Sequence, residues 1–249
     1  MTVFDRAAHI VIATDEAALA EAAATRLIAR IAAAKGEARI CLTGGHTPQA
    51  LYRLLARPPW RDRIAWQNVQ WFIGDERLVP LSDRLSNMGT ACALFLDQCA
   101  LPGTVHSVPT DAATPEAAAR AYEATLQTVY GTTHLDPAEP LFDAVLMGVG
   151  ADGHTASLFP GAPALTERTR WAVGVDQAGL APFVPRITLT LPALNACREM
   201  LVLVDGADKR ATLARLAAGE ALPAARLDPW GDLTWIVTLE AAPETLDAR

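Results

Sequence analysis

The chain has 249 residues, of which 51% are hydrophobic and 20% charged, and its formal net charge is -7. That is the composition of a soluble globular protein long enough for one large α/β domain spanning residues 1–249, and it shows no lysine or arginine cluster of the kind that binds a nucleic-acid backbone. No apolar stretch approaches a membrane span, and the opening MTVFDRAAHIVIATDE, with early acids and no long apolar core, is unlike a secretory signal, so a cytoplasmic location without membrane attachment is expected.

In chain order, His9–Ala13 reads as a first strand. Residues 15–35 are alanine-rich, with Leu19, Leu27, Ile28 and Ile31 on one helical face. Thr14 is placed to cap this helix and Gly36 to stop it. Ala38–Leu42 is a second strand. Thr43-Gly44-Gly45 is the turn after it, and Pro48 begins a helix through Leu55, closed by Pro58-Pro59. Val69–Ile73 is a third strand. Residues 87–97 and 115–129 read as helices, and residues 131–140 as a loop. A buried strand follows at residues 142–147. Residues 171–175 and 186–191 are strand-like, Glu199–Val204 is another buried strand, residues 208–217 a helix and residues 233–237 a last strand. This β-α alternation predicts a doubly wound α/β fold, Rossmann-like, with a mainly parallel sheet and helices on both faces. The cysteines Cys41, Cys92, Cys99 and Cys197 form no CxxC pair and read as free thiols in a reducing compartment.

Four polar segments follow predicted strands, and parallel strands deliver their carboxyl ends to one edge, where open α/β sheets bind ligands. The most informative lies at residues 148–161, GVGADGHTASLFPG. Its glycines let the backbone approach a ligand closely, and it carries His154, a side chain suited to proton transfer near neutral pH, with Asp152 two residues away and Thr155 and Ser157 beside it. The segment Thr43, Gly44, Gly45, His46, Thr47 opens a helix whose start suits a phosphate. A bare strand-to-helix turn accounts for the same residues. The charged Gly74-Asp75-Glu76-Arg77 ends a strand and precedes Ser86-Asn87. In the fourth segment Lys209 stands in the first turn of a helix, where a cation opposes the dipole unless an anion sits there. No HExxH metal pair and no GxSxG nucleophile elbow occurs, so no metal and no cofactor is expected.

Taken together these segments resemble the 6-phosphogluconolactonase family. The matching pieces are LTGGHTP (42–48), GDERLVP (74–80), SNMG (86–89), GVGADGHTASLFPG (148–161), PRITLTLP (185–192) and VDGADKRATL (204–213), in the family's order and across nearly the whole chain. Glucosamine-6-phosphate deaminases are similar in fold and share the GG(S/H)TP, DE and GxDGH elements. Arg77 after the Asp-Glu pair and TASLFPG after DGH side with the lactonases. Two positions depart from the pattern: His46 stands where serine is common, and Thr238 where aspartate is frequent.

The resemblance implies hydrolysis of 6-phospho-D-glucono-1,5-lactone to 6-phosphogluconate in the oxidative pentose phosphate pathway. It suggests His154 as general base, Asp152 as the residue orienting its ring, and Arg77 holding the oxyanion or the sugar ring. Thr43, Gly44, Gly45, His46, Thr47 and Lys209 would bind the 6-phosphate, with Arg186 as a helper. Asp75 would be structural or would bind a substrate hydroxyl. The partner is the phosphorylated sugar lactone, and the chain is expected to act as a monomer. Two other functions fit less well: a deaminase or isomerase of an amino-sugar phosphate, and a silent sugar-phosphate sensor, for which the chain has neither a spare segment nor a basic face.

Overall fold

The computed structural model describes residues 1–247. In chain order its elements are β1 (His9–Ala13), α1 (Glu16–Ala33), β2 (Ala38–Leu42), α2 (Pro48–Leu55), β3 (Val69–Ile73), β4 (Asp75–Arg77), α3 (Asn87–Ala91), α4 (Asp97–Cys99), α5 (Pro115–Tyr130), β5 (Ala144–Met147), β6 (Ala172–Val175), β7 (Arg186–Leu189), α6 (Leu191–Asn195), β8 (Glu199–Val204), α7 (Arg210–Ala217), β9 (Asp232–Thr238) and α8 (Glu244–Asp247).

Six strands form one parallel sheet in the order β1-β9-β8-β5-β2-β3. Every residue of β5 and β8 is buried, as expected for central strands covered on both faces. The α1 stripe follows the predicted spacing: Leu19, Leu27, Ile28 and Ile31 are all buried. Each such side chain contributes roughly 1.5–3 kcal/mol on leaving water. From β2 the chain moves outward to β3, then returns past β2 to β5 and runs the other way through β8 and β9. The strand order therefore reverses between β2 and β5. That switch point opens a crevice beyond the strand ends, and Gly44 and Gly148 are the residues that leave it on either side.

The structure departs from the sequence reading in four places. Asp15, not Thr14, caps α1, its carboxylate accepting from the Ala18 N–H at 2.8 Å. The helix ends at Ala33, with Ala34 already extended, so Gly36 lies beyond the stop. Residues 87–97 are interrupted by a π-helical turn at Cys92–Leu96. Most consequential, the charged Asp75–Arg77 is itself a strand. It joins β7 and β6 in a separate antiparallel sheet of order β4-β7-β6. Three charged residues show no apolar alternation, and their partner lies more than a hundred residues downstream, so local pattern could not reveal the pairing.

Candidate active site

The crevice at the switch point is a cavity of about 460 Å³. It gathers ten of the eleven residues singled out from the sequence: Thr43, Gly44, Gly45, His46 and Thr47 after β2, Asp75 and Arg77 on β4, His154 after β5, Arg186 on β7 and Lys209 before α7. Asp152 stands behind His154 and is outside the lining.

The His154 loop is built locally. Gly150 permits it, because a Cβ there would lie 2.1 Å from the His154 ring. The Asp152 Oδ1 accepts from the His154 backbone N–H at 3.0 Å and lies 2.5 Å from the ring Nδ1. Burial works against the Asp152 charge, but the His154 donors outweigh it and hold the carboxyl below its ordinary range. An ionised Asp152 keeps the proton on Nδ1 and leaves Nε2 as the basic nitrogen. The Phe159 ring lies 4.7 Å from the imidazole and screens it further. Thr155 donates its hydroxyl to the Gly148 carbonyl at 2.8 Å, closing the loop on the strand it left. Ala156 lies at φ 47°, a left-handed conformation unusual for a side chain other than glycine.

The wall opposite comes from the small sheet. Alternation puts Asp75 and Arg77 on one face of β4 and Glu76 on the other. Arg77 pairs directly with Arg186 across β4 and β7. Like charges facing each other in a sheet repel, and Arg186 feels it: burial chiefly, then the Arg77 charge, lower its pKa, while Asp75 opposes the shift. Arg77 donates to the Leu85 carbonyl at 2.6 Å and Arg186 to the Pro182 carbonyl at 3.0 Å, and the buried Nε of each has no hydrogen-bond partner. Two facing guanidiniums with donors to spare suit an anionic or strongly polar ligand.

The end lined by His46, Thr47 and Lys209 is looser. Thr47 holds the cap position of α2 without making a capping bond. His46 is largely exposed, with Glu16 at 3.9 Å. Lys209 pairs with Asp208 at 3.0 Å across a turn opened by Gly206. Thr238, one of the two departures from the resembled family, accepts from the Gly206 N–H at 3.4 Å and so supports that turn.

Two residues quoted in motifs but given no role prove central. Asn87 and Ser157 both bond Asp75, at 3.3 and 2.6 Å. Glu76, fully buried, accepts from Arg77 N, Asn87 N, Met88 N and the Ser86 hydroxyl. Burial pushes the Glu76 carboxyl up despite those four donors. Among the described residues no cluster of potential metal ligands forms, and no helix is long and apolar enough to cross a membrane.

Residues 14–235 match the family model described as glucosamine-6-phosphate isomerases/6-phosphogluconolactonase. A 6-phosphogluconolactonase of Synechocystis sp. is 38% identical over 224 residues, covering 87% of this chain and 88% of the relative. One from Streptomyces coelicolor is 37% identical over 247 residues, covering 95% and 94%. Among solved structures, the 6-phosphogluconolactonase from Trypanosoma cruzi superposes with a TM-score of 0.81 at 28% identity, covering 94% of this chain and 97% of its own.

Proposed function

The chain belongs to the glucosamine-6-phosphate isomerase/6-phosphogluconolactonase family, and from that premise we propose that it hydrolyses 6-phospho-D-glucono-1,5-lactone with water activated by His154. The lactonase activity itself follows from relatives matched over most of the chain. The observation that supports the mechanism is His154 on the cavity wall with Asp152 behind it, 2.5 Å from nitrogen to oxygen.

The described lining carries hydroxyls only on Thr43 and Thr47 and no cysteine, so neither serine nor cysteine is at hand as nucleophile. The His154 Nε2 takes a proton from water as its oxygen bonds to the lactone carbonyl carbon. Arg77 holds the negative charge that develops on the carbonyl oxygen, and Arg186, facing it across the strands, helps hold the phosphate. Collapse breaks the bond to the ring oxygen, and the imidazolium returns the proton to that leaving oxygen. The product is the open-chain acid, which ionises. Asp152 keeps the ring oriented and stabilises the imidazolium throughout. The 6-phosphate is held by the backbone at Gly44 and Gly45, by Thr47 and by Lys209, with His46 at the rim.

No metal or organic cofactor enters this scheme, and turnover is expected to survive dialysis against a chelator. The enzyme acts as a cytoplasmic monomer on a small phosphorylated lactone, with no nucleic-acid or membrane partner. A coupled assay tests the reading: the lactone is generated in place and 6-phosphogluconate is followed above the uncatalysed rate. Failure to exceed that background, together with ammonia release from glucosamine 6-phosphate, would overturn it in favour of the deaminase side of the family.

A further inference from the structure

Asp75 is 5% exposed and projects from β4 into the seam between the base loop and the anion-binding loop. Its two carboxylate oxygens are divided between these loops. Oδ2 accepts from the hydroxyl of Ser157 at 2.6 Å. Ser157 is fully buried and lies three residues beyond His154; its own N–H donates to Thr188, the cross-strand partner of Asp75, at 3.2 Å. Oδ1 accepts from the Asn87 side-chain amide at 3.3 Å, and the Asp75 carbonyl accepts from the same nitrogen at 2.9 Å.

The Asn87 amide lies flat on Gly44, where a Cβ would come within 2.0 Å of its Oδ1. Glu76 fixes Asn87 from beneath by accepting its backbone N–H at 2.7 Å. The chain of contacts therefore runs from Gly44 through Asn87, Asp75 and Ser157 to the loop that carries His154. Asn87, Asp75 and Ser157 are all buried, and buried hydrogen-bonded networks hold one arrangement and transmit displacement.

We propose that Asp75 is a positioning residue that couples the anion-binding loop to the base loop, with Asn87 and Ser157 as its two arms, so that binding of the 6-phosphate aligns His154. The proposal rests on the lactonase reading above and adds a use for the phosphate: its binding free energy is converted into kcat rather than spent only on affinity. It also accounts for the Asp75 carboxylate without a proton-transfer role, since both oxygens are committed to protein donors.

The test is a double-mutant cycle on kcat with Ser157→Ala, Asn87→Ala and the pair, using the phosphorylated lactone and, separately, glucono-1,5-lactone lacking the phosphate, with and without added phosphite dianion. Each single variant is expected to lower kcat for the phosphorylated lactone by about tenfold, the size of one buried hydrogen bond. The pair should lose little more, because both arms act through one carboxylate. Phosphite should raise wild-type turnover of the phosphate-free lactone and leave the variants unmoved. Asn87→Ser, with a shorter hydroxyl arm, serves if Asn87→Ala does not fold. Penalties that simply add, or equal activation by phosphite in all variants, overturn the coupling while wild-type lactonase activity stands. A wild type without lactonase activity overturns both readings.

Discussion

The two ends of the cavity are built on different plans. At the base end, Asp152 and His154 are two residues apart, the bond between them is made within one turn, and Gly150 and Phe159 close on the imidazole from either side. At the anion end, Gly44 and Thr47 follow β2 and Lys209 follows β8, and among the described residues the lysine ammonium pairs with a largely exposed Asp208. The His154 end is held by bonds within its own loop, and its link to the rest of the site runs through Ser157 and Asp75. The anion end is a set of donors whose present partners are weak, since an exposed ion pair is worth only ~0–1 kcal/mol, so a phosphate can displace them. The difference predicts that substitutions at the His154 end act chiefly on kcat and those at the Lys209 end chiefly on KM, with the Asp75 link carrying what passes between them, and each prediction below tests that division.

The largest effect is expected at His154. His154→Asn should lower kcat by about 10² to 10⁴-fold, the span of one acid–base group, with KM little changed. A folded His154→Asn protein with near-normal kcat would remove the base from this end of the cavity. A role confined to shaping the loop would instead lower stability or raise KM and leave kcat of the folded protein near normal.

Next comes Asp152→Asn, which keeps the shape and removes the charge. Losing one charge-assisted bond of ~3 kcal/mol corresponds to about 10²-fold in kcat, and the ring would be free to turn. The sign of the pH effect follows from the depressed carboxyl. Its contribution to stability is present above the pKa of an unfolded aspartate and is lost as pH falls through the lower folded value. Thermal unfolding should therefore separate wild type from Asp152→Asn near neutral pH, and the gap should close in acid. A gap that widens in acid would mean that the carboxyl is not held ionised by His154.

The same contrast explains what was legible in the sequence. The base end rests on contacts between near neighbours, so glycine spacing and one histidine were enough to find it. The β-α alternation gave the parallel sheet and its rim for the same reason: hydrophobic period and turn chemistry are local. The small sheet was not legible, because Asp75, Glu76 and Arg77 look like solvated loop charges until β7 is laid beside them. The place of Asn87 and Ser157 beside Asp75 was not legible either, because which carboxylate they reach is a fact of tertiary contact and not of spacing. A charged triplet ending an apolar strand was the one available signal. The capping error at Thr14 was a shift by one residue, with Asp15 the better acceptor already next to it.

At the anion end, Lys209→Ala should raise KM for the phosphorylated lactone by about tenfold, the lower part of the range for a charge-assisted bond, because the wild-type lysine must first leave Asp208. The effect on kcat should be smaller. An unchanged KM would place the phosphate elsewhere. A loss confined to kcat would mean that the two ends are not divided as described.

The smallest effect should come from His46, and it marks where the anion end stops. The side chain is 83% exposed, and its nearest charged neighbour, Glu16, is 3.9 Å away. A contact made by so exposed a group is worth at most about 1 kcal/mol. His46→Ser, which restores the residue common in the resembled family, should therefore change KM by less than about fivefold. KM and kcat measured side by side for both proteins check this, and kcat should stay near the wild-type value. A change in KM as large as that of Lys209→Ala would show that the bound phosphate orders the exposed rim as well as the turns beneath it. The anion end would then extend out to the solvent-facing lip, and the contrast between a locally bonded end and a ligand-ordered end would be sharper than the hydrogen bonds alone indicate.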